Sequence, residues 1–144
     1  MMRHLLPLLA CLSLGGLSLT CNRDRTDARP PSHLRAATEV FWALNDAGWV
    51  ISKEKPHPSR HGCQAAEYLA AREKARFRIS VYHCGDAEQA ARLASDDHYR
   101  HVDELLRNHH EGGILQRGPL LIIVRRETGQ ADDSRNLLQF LAKL

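Results

Sequence analysis

Three features of the sequence predict a small α+β fold, a two-layer sandwich of three helices on a mainly antiparallel sheet in the order α-β-ββ-α-β-α. Apolar residues recur at helical steps between residues 34 and 44 and again between 137 and 144. Polar and apolar residues alternate through Arg76-Phe77-Arg78-Ile79-Ser80-Val81-Tyr82, the pattern of a strand with one buried face. Five consecutive aliphatic residues, Leu120-Leu121-Ile122-Ile123-Val124, require a strand covered on both faces.

The first helix is read from the stripe Leu34, Ala37, Phe41 and Leu44. Ser32 is suited to cap its start, and Gly48 to the left-handed stop at its end. Trp49-Val50-Ile51 opens a strand expected to end at Lys53-Glu54-Lys55-Pro56, with residues 57–62 as a loop. Residues 64–72 are rich in alanine, which favours helix by propensity alone. Read instead as a strand turning at Glu73-Lys74, they pair with the alternating segment. Tyr68 then stands opposite Ile79, Ala70 opposite Phe77 and Ala66 opposite Val81. The other face sets Glu67 against Ser80 and Leu69 against Arg78, so one face of the hairpin is apolar.

Asp86 is placed to cap a long helix from Ala87 to about Asn108, ended by Gly112-Gly113. Its buried side is expected at Ala87, Ala90, Ala91, Ala94, Val102, Leu105 and Leu106, and Ser95-Asp96-Asp97 offers a point of division. Ile114-Leu115-Gln116 and the aliphatic run flank Arg117-Gly118-Pro119, as a hairpin or a bulged strand. After a turn at Thr128-Gly129-Gln130, Asp132 or Asp133 caps a last helix with Leu137, Leu138, Phe140, Leu141 and Leu144 inward.

With 144 residues, 43% of them hydrophobic and 26% charged, the chain is one globular domain and not a disordered one. Lys and Arg total 20 against 17 Asp and Glu, a net charge of +3, which argues against a dedicated nucleic-acid binder. No phosphate-binding glycine loop, zinc ribbon, metalloprotease helix or serine-nucleophile turn is present. No enzyme activity and no cofactor is therefore expected.

The N-terminus reads as an address. Arg3 precedes an uncharged run from Leu5 to Leu19, too short for the ~20 residues that span a hydrocarbon core as a helix. A basic start, an apolar stretch and a small-residue exit make a secretory signal. Leu17-Ser18-Leu19-Thr20-Cys21 resembles the lipobox of bacterial lipoproteins, although Ser18 replaces the usual leucine and Thr20 the usual glycine or alanine. Leu8-Leu9-Ala10-Cys11 matches the box more closely but leaves an apolar run of only six residues before the cysteine. The resemblance implies a signal peptide at 1–20 and Cys21 as the lipid-modified first residue of the mature chain. Asn22, where an aspartate favours the inner membrane, leans toward the outer one. Residues 21–32 then form a polar tether closed by Pro30-Pro31, and 33–144 the single domain. The resemblance covers the N-terminal segment alone.

With Cys11 and Cys21 accounted for, Cys63 and Cys84 remain, an even pair in an oxidising compartment. The hairpin register sets them opposite each other at its open end, where a disulfide closes. The competing reading is a reactive thiol assisted by His61 or His83. Nine histidines give the only metal argument: His98 and His101 share one side of the long helix, near Asp97 and Glu104. His98 also falls in line with Ala94 and Val102 on the expected buried stripe. Arg76, Arg78, Arg125 and Arg126 offer a basic patch, and Trp42 and Trp49 are expected to pack.

The expectation is a lipid-anchored module of the bacterial cell envelope, facing the periplasm or the exterior, with an envelope protein or the cell wall as partner and no nucleic acid. The alternative is a periplasmic metal- or small-ligand-binding protein using His98 and His101. A third reading is a small hydrolase built on Cys63 or Cys84.

Overall fold

The computed structural model describes residues 36–144, with the backbone alone described at 53–56. The signal segment, Cys21, the tether and the helix positions Ser32 and Leu34 lie outside the described residues. The elements are α1 (Ala37–Asp46), β1 (Val50–Arg60), β2 (Cys63–Arg72), β3 (Ala75–His83), α2 (Ala87–Ala94), α3 (Asp97–Asn108), β4 (Gly112–Arg117), β5 (Leu120–Thr128) and α4 (Ala131–Ala142). The strands form one antiparallel sheet in the order β1-β2-β3-β5-β4. The class is α+β, as the patterning predicts.

The alanine-rich segment 64–72 is a strand. Its pairing with β3 has the expected register, Tyr68 opposite Ile79, Ala70 opposite Phe77 and Glu67 opposite Ser80. Burial of Tyr68 and Ala70 on one face outweighs the helical preference of alanine. The segment expected as a loop at 57–62 is mostly strand instead. β1 runs on to Arg60, and only His61 and Gly62 turn, both at positive φ, as a two-residue hairpin requires. Proline is tolerated here because β1 is an edge strand, with register shifts between Lys53 and Pro56 and between His57 and Arg60.

The expected long helix is two, which makes four helices where three were expected. Asp86 caps α2 by accepting from the Gln89 amide at 2.7 Å. Asp96 caps α3 by accepting from the His98 amide at 2.9 Å. The second cap restarts the helical phase, so the inward residues are Ala90 and Leu93 in α2 and Tyr99 and Leu106 in α3. Ala87, Ala91, Leu105 and His98 are exposed, contrary to the single-helix stripe. Gly112 and Gly113 belong to β4 and do not end the helix. Gln130, rather than Asp132 or Asp133, is the N-cap residue of α4, with the Asp133 carboxylate accepting from its amide at 2.7 Å.

Two layers become three, because helices cover both faces of the sheet. Phe77, Ile79 and Val81 of β3 and Leu120, Ile122 and Val124 of β5 pack with Val40 and Leu44 of α1 and Leu137 and Leu141 of α4. Tyr82 of β3 and Leu121 of β5 point the other way, into a second cluster with Ala90 and Leu93 of α2, Tyr99 of α3 and both cysteines. A strand apolar on both sides demands cover on both sides. The five aliphatics of β5 meet that demand.

Candidate functional site

The second face is only partly covered. α3 packs along β4, and α2 lies over β5 and β4, which leaves an open groove beside α3 above the other strands. The groove encloses about 480 Å³. Its floor is His57 of β1, Glu67 of β2, Arg78 and Ser80 of β3, and Ile123 and Arg125 of β5. Its wall is Val102, Leu105 and Leu106 of α3, followed by His109 and Glu111. Leu105, at 44% exposure, is the most exposed leucine among the described large hydrophobics.

Strand alternation brings the charged floor together: each of these strands sends its odd or even set to the first core and the other set here. Arg78 donates from Nη1 to Glu67 at 2.7 Å and from Nε to Glu127 at 2.8 Å. Ser80 donates from Oγ to the second oxygen of Glu67 at 3.3 Å, and His57 Nδ1 lies 3.7 Å from that oxygen. The hydrogen bond to Glu67, then that to Glu127, raises the Arg78 pKa above its ordinary value. Arg125, directly across from Arg78 in the β3–β5 register, has no carboxylate within ion-pair distance among the described residues. Of the four arginines of the expected basic patch, Arg78 and Arg125 lie on this floor, and Glu67 and Glu127 pair with Arg78.

An aromatic stack runs from the groove into the second core. His57 stands edge-on to Tyr82 at 5.6 Å, Tyr82 to Tyr99 at 5.8 Å, and Tyr99 to His98 at 5.2 Å. The Tyr99 hydroxyl is buried with no partner in hydrogen-bond geometry. Burial first, and the neighbouring Tyr82 hydroxyl second, push its pKa upward.

Ser80 on this floor is not arranged as a nucleophile. A nucleophilic serine needs its hydroxyl on a base that is free to take the proton, and Ser80 bonds a carboxylate already claimed by Arg78. Cys63 and Cys84 are joined in a disulfide, with Cα atoms 4.2 Å apart, buried at 0% and 3% exposure. A thiol hydrolase at either position is therefore overturned. His61 instead faces Asp96 at 3.8 Å, and Gln89 ties this turn to α2 by donating to the His61 carbonyl at 2.7 Å.

His98 and His101 are both exposed on α3, and among the described residues no group of three or more His, Cys, Asp or Glu side chains is arranged to hold a metal ion. His98 is not the core histidine that its place in a single-helix stripe implied. Trp49 packs as expected, edge-on to Phe77 at 5.6 Å and beneath Arg72 at 4.5 Å, whereas Trp42 is 46% exposed.

Sequence reasoning placed Glu67 opposite Ser80, and Arg78 lies on the diagonal from Glu67, within reach of long side chains. The cluster was readable that far. The contribution of Glu127 depends on β5 lying beside β3, which no local pattern specifies. Comparisons with protein-family models, with characterised proteins and with solved structures give no match.

Proposed function

We propose that this chain is a lipid-anchored, non-enzymatic module of the bacterial cell envelope that holds a partner in the groove beside α3. The observation that supports it most is the buried Cys63–Cys84 disulfide in a chain whose N-terminal segment resembles a lipoprotein signal. Such a bridge persists in oxidising compartments and not in a reducing cytosol. No helix of the described residues is long and apolar enough to cross a membrane. In this reading acyl chains on Cys21 hold the chain at a membrane, each buried methylene contributing ~0.8 kcal/mol. The groove suits a binding role because it combines an apolar wall, Val102 and Leu105, with Arg125, a cation that has no carboxylate at ion-pair distance among the described residues.

Intact mass of the protein extracted from its own membrane fraction tests the anchor. A diacyl or triacyl mass on a chain beginning at Cys21, with a reducible bridge, is expected. An unlipidated mature chain recovered from the soluble fraction overturns it. Crosslinking in the native envelope tests the groove: Arg125→Glu and Leu105→Asp are expected to abolish the crosslinks that wild type forms. Crosslinks that persist unchanged in both variants overturn the groove as the binding surface.

A further inference from the structure

The sheet ends in two edge strands, β1 and β4, and an edge strand offers backbone groups on which another strand can pair. On β1, Pro56 and Pro58 have no amide to offer, and two register shifts against β2 disturb the strand. β4 contains no proline and pairs with β5 without a register shift. Its outer edge is closed by other means.

In an antiparallel pair, alternate residues turn both backbone groups away from the partner strand. Ile114 is such a residue at the middle of β4. Its amide donates to Asp103 Oδ1 at 2.6 Å, and its carbonyl accepts from Arg107 Nη2 at 2.9 Å. By the same alternation Gly112 and Gln116 face outward with it. Asp103 and Arg107 lie four residues apart on α3, which puts them on one side of the helix, and Arg107 Nε donates to Asp103 Oδ1 at 2.8 Å. Together they present one acceptor and one donor, the two groups that a residue of a neighbouring strand presents. The clasp also lies close against the strand. A Cβ at Gly113 would stand 3.1 Å from Arg107 Cζ and 3.2 Å from Asp103 Oδ1, so the glycine makes room for it.

We infer that the outer edge of β4 is a pairing surface for a second copy of this chain, held shut by the Asp103–Arg107 clasp. The strand that fits this edge is β4 itself. Antiparallel pairing about a two-fold axis at Ile114 sets Ile114 opposite its own copy and Gly112 opposite Gln116, so the outward residues of both copies meet in one register. With the clasp closed, pairing forfeits two hydrogen bonds in each copy, and the chain stays single. With the clasp removed, nothing is forfeited, and the Ile114 amide and carbonyl gain partners only by pairing.

Sedimentation velocity of the full-length chain in density-matched detergent, over a range of protein concentrations, tests the lock. The double variant Asp103→Ala, Arg107→Ala is expected to dimerise at least about a hundredfold more tightly than wild type, the factor set by four hydrogen bonds no longer forfeited. Adding Gln116→Pro removes an outward amide without touching the ladder to β5, and is expected to restore the monomer. Arg107→Ala alone frees the Ile114 carbonyl and leaves its amide on Asp103. It is expected to fold as wild type does and to associate to an intermediate degree. A folded double variant that remains monomeric overturns the proposal, as does wild type dimerising as tightly as the variant. A dimer that survives Gln116→Pro places the contact elsewhere and also overturns it. Should the double variant fail to fold, a monomeric Arg107→Ala overturns it in the same way.

Discussion

The two faces of the sheet are made from the same strands and have different characters. On the face under α1 and α4, buried aliphatic and aromatic side chains from β2, β3 and β5 meet two helices, and the cluster is closed to water. On the face under α2 and α3, a smaller cluster is stapled by a disulfide, and the rest of the surface carries Glu67, Arg78, Ser80 and Arg125 beside an open groove. The first face supplies most of the burial that holds the fold. The second gives up part of its cover, and a covalent link replaces some of the stabilisation that a wider core would provide. The same strands thus carry a closed core on one side and a half-open groove on the other.

Phe77→Ala strikes the closed face at its largest fully buried side chain and is expected to destabilise by ~3–5 kcal/mol, read from urea unfolding. A loss below that of any second-face substitution would reverse the assignment of the main core. Removing the disulfide with Cys63→Ala and Cys84→Ala comes next. The bridge joins residues separated by 21 positions, and a loop of that size corresponds to ~3 kcal/mol in the chain-entropy model. Unfolding of wild type with and without reductant checks the same quantity without mutation.

Asp103→Ala is expected to cost ~1–3 kcal/mol, because it leaves the Ile114 amide without its acceptor at the sheet edge. Asp103→Asn keeps an oxygen acceptor there and is expected to cost less than half as much, so the pair separates the hydrogen bond from the charge. Hydrogen exchange at Ile114 measures it directly.

Tyr99→Phe removes a buried hydroxyl whose polar neighbour is the Tyr82 hydroxyl and is expected to change stability at neutral pH by no more than ~1 kcal/mol. Its larger effect lies in alkali. The folded pKa of Tyr99 is raised above the ordinary 10.0, so folding favours the neutral phenol. Stability is then unaffected below pH 10 and falls as pH rises past it, where the unfolded chain ionises first. Tyr68, raised by burial, contributes in the same direction from the closed face. Urea midpoints taken across pH 10 are expected to fall less steeply in Tyr99→Phe than in wild type. The smallest effect is expected from Arg92→Ala, which breaks the exposed pair with Glu88 and changes stability by under ~0.5 kcal/mol.

Much of the architecture was legible before the tertiary structure. The β2–β3 register followed from the alternation in 76–82 and the demand that one face be apolar, and the same register brought Cys63 to Cys84. The caps at Asp86 and the stop at Gly48, with φ of 86°, followed from local chemistry. Those features share a cause: each depends on neighbours in sequence or on one pairing across a tight turn.

What the tertiary structure alone decided depends on partners far apart in the chain. The break at Asp96 was visible as an option, but the packing of Tyr99 against Tyr82 joins the cap at Asp96 in setting the phase of α3, with His98 turned out to solvent. Pro56 reads as a strand end and Pro58 as a loop residue, yet both lie within a strand because that strand is at the edge, a property of sheet order and not of sequence. The placing of β5 between β3 and β4 brings Glu127 to Arg78 and leaves Arg125 unpaired. Local patterns specify which way a side chain faces, and the order of strands specifies what it meets.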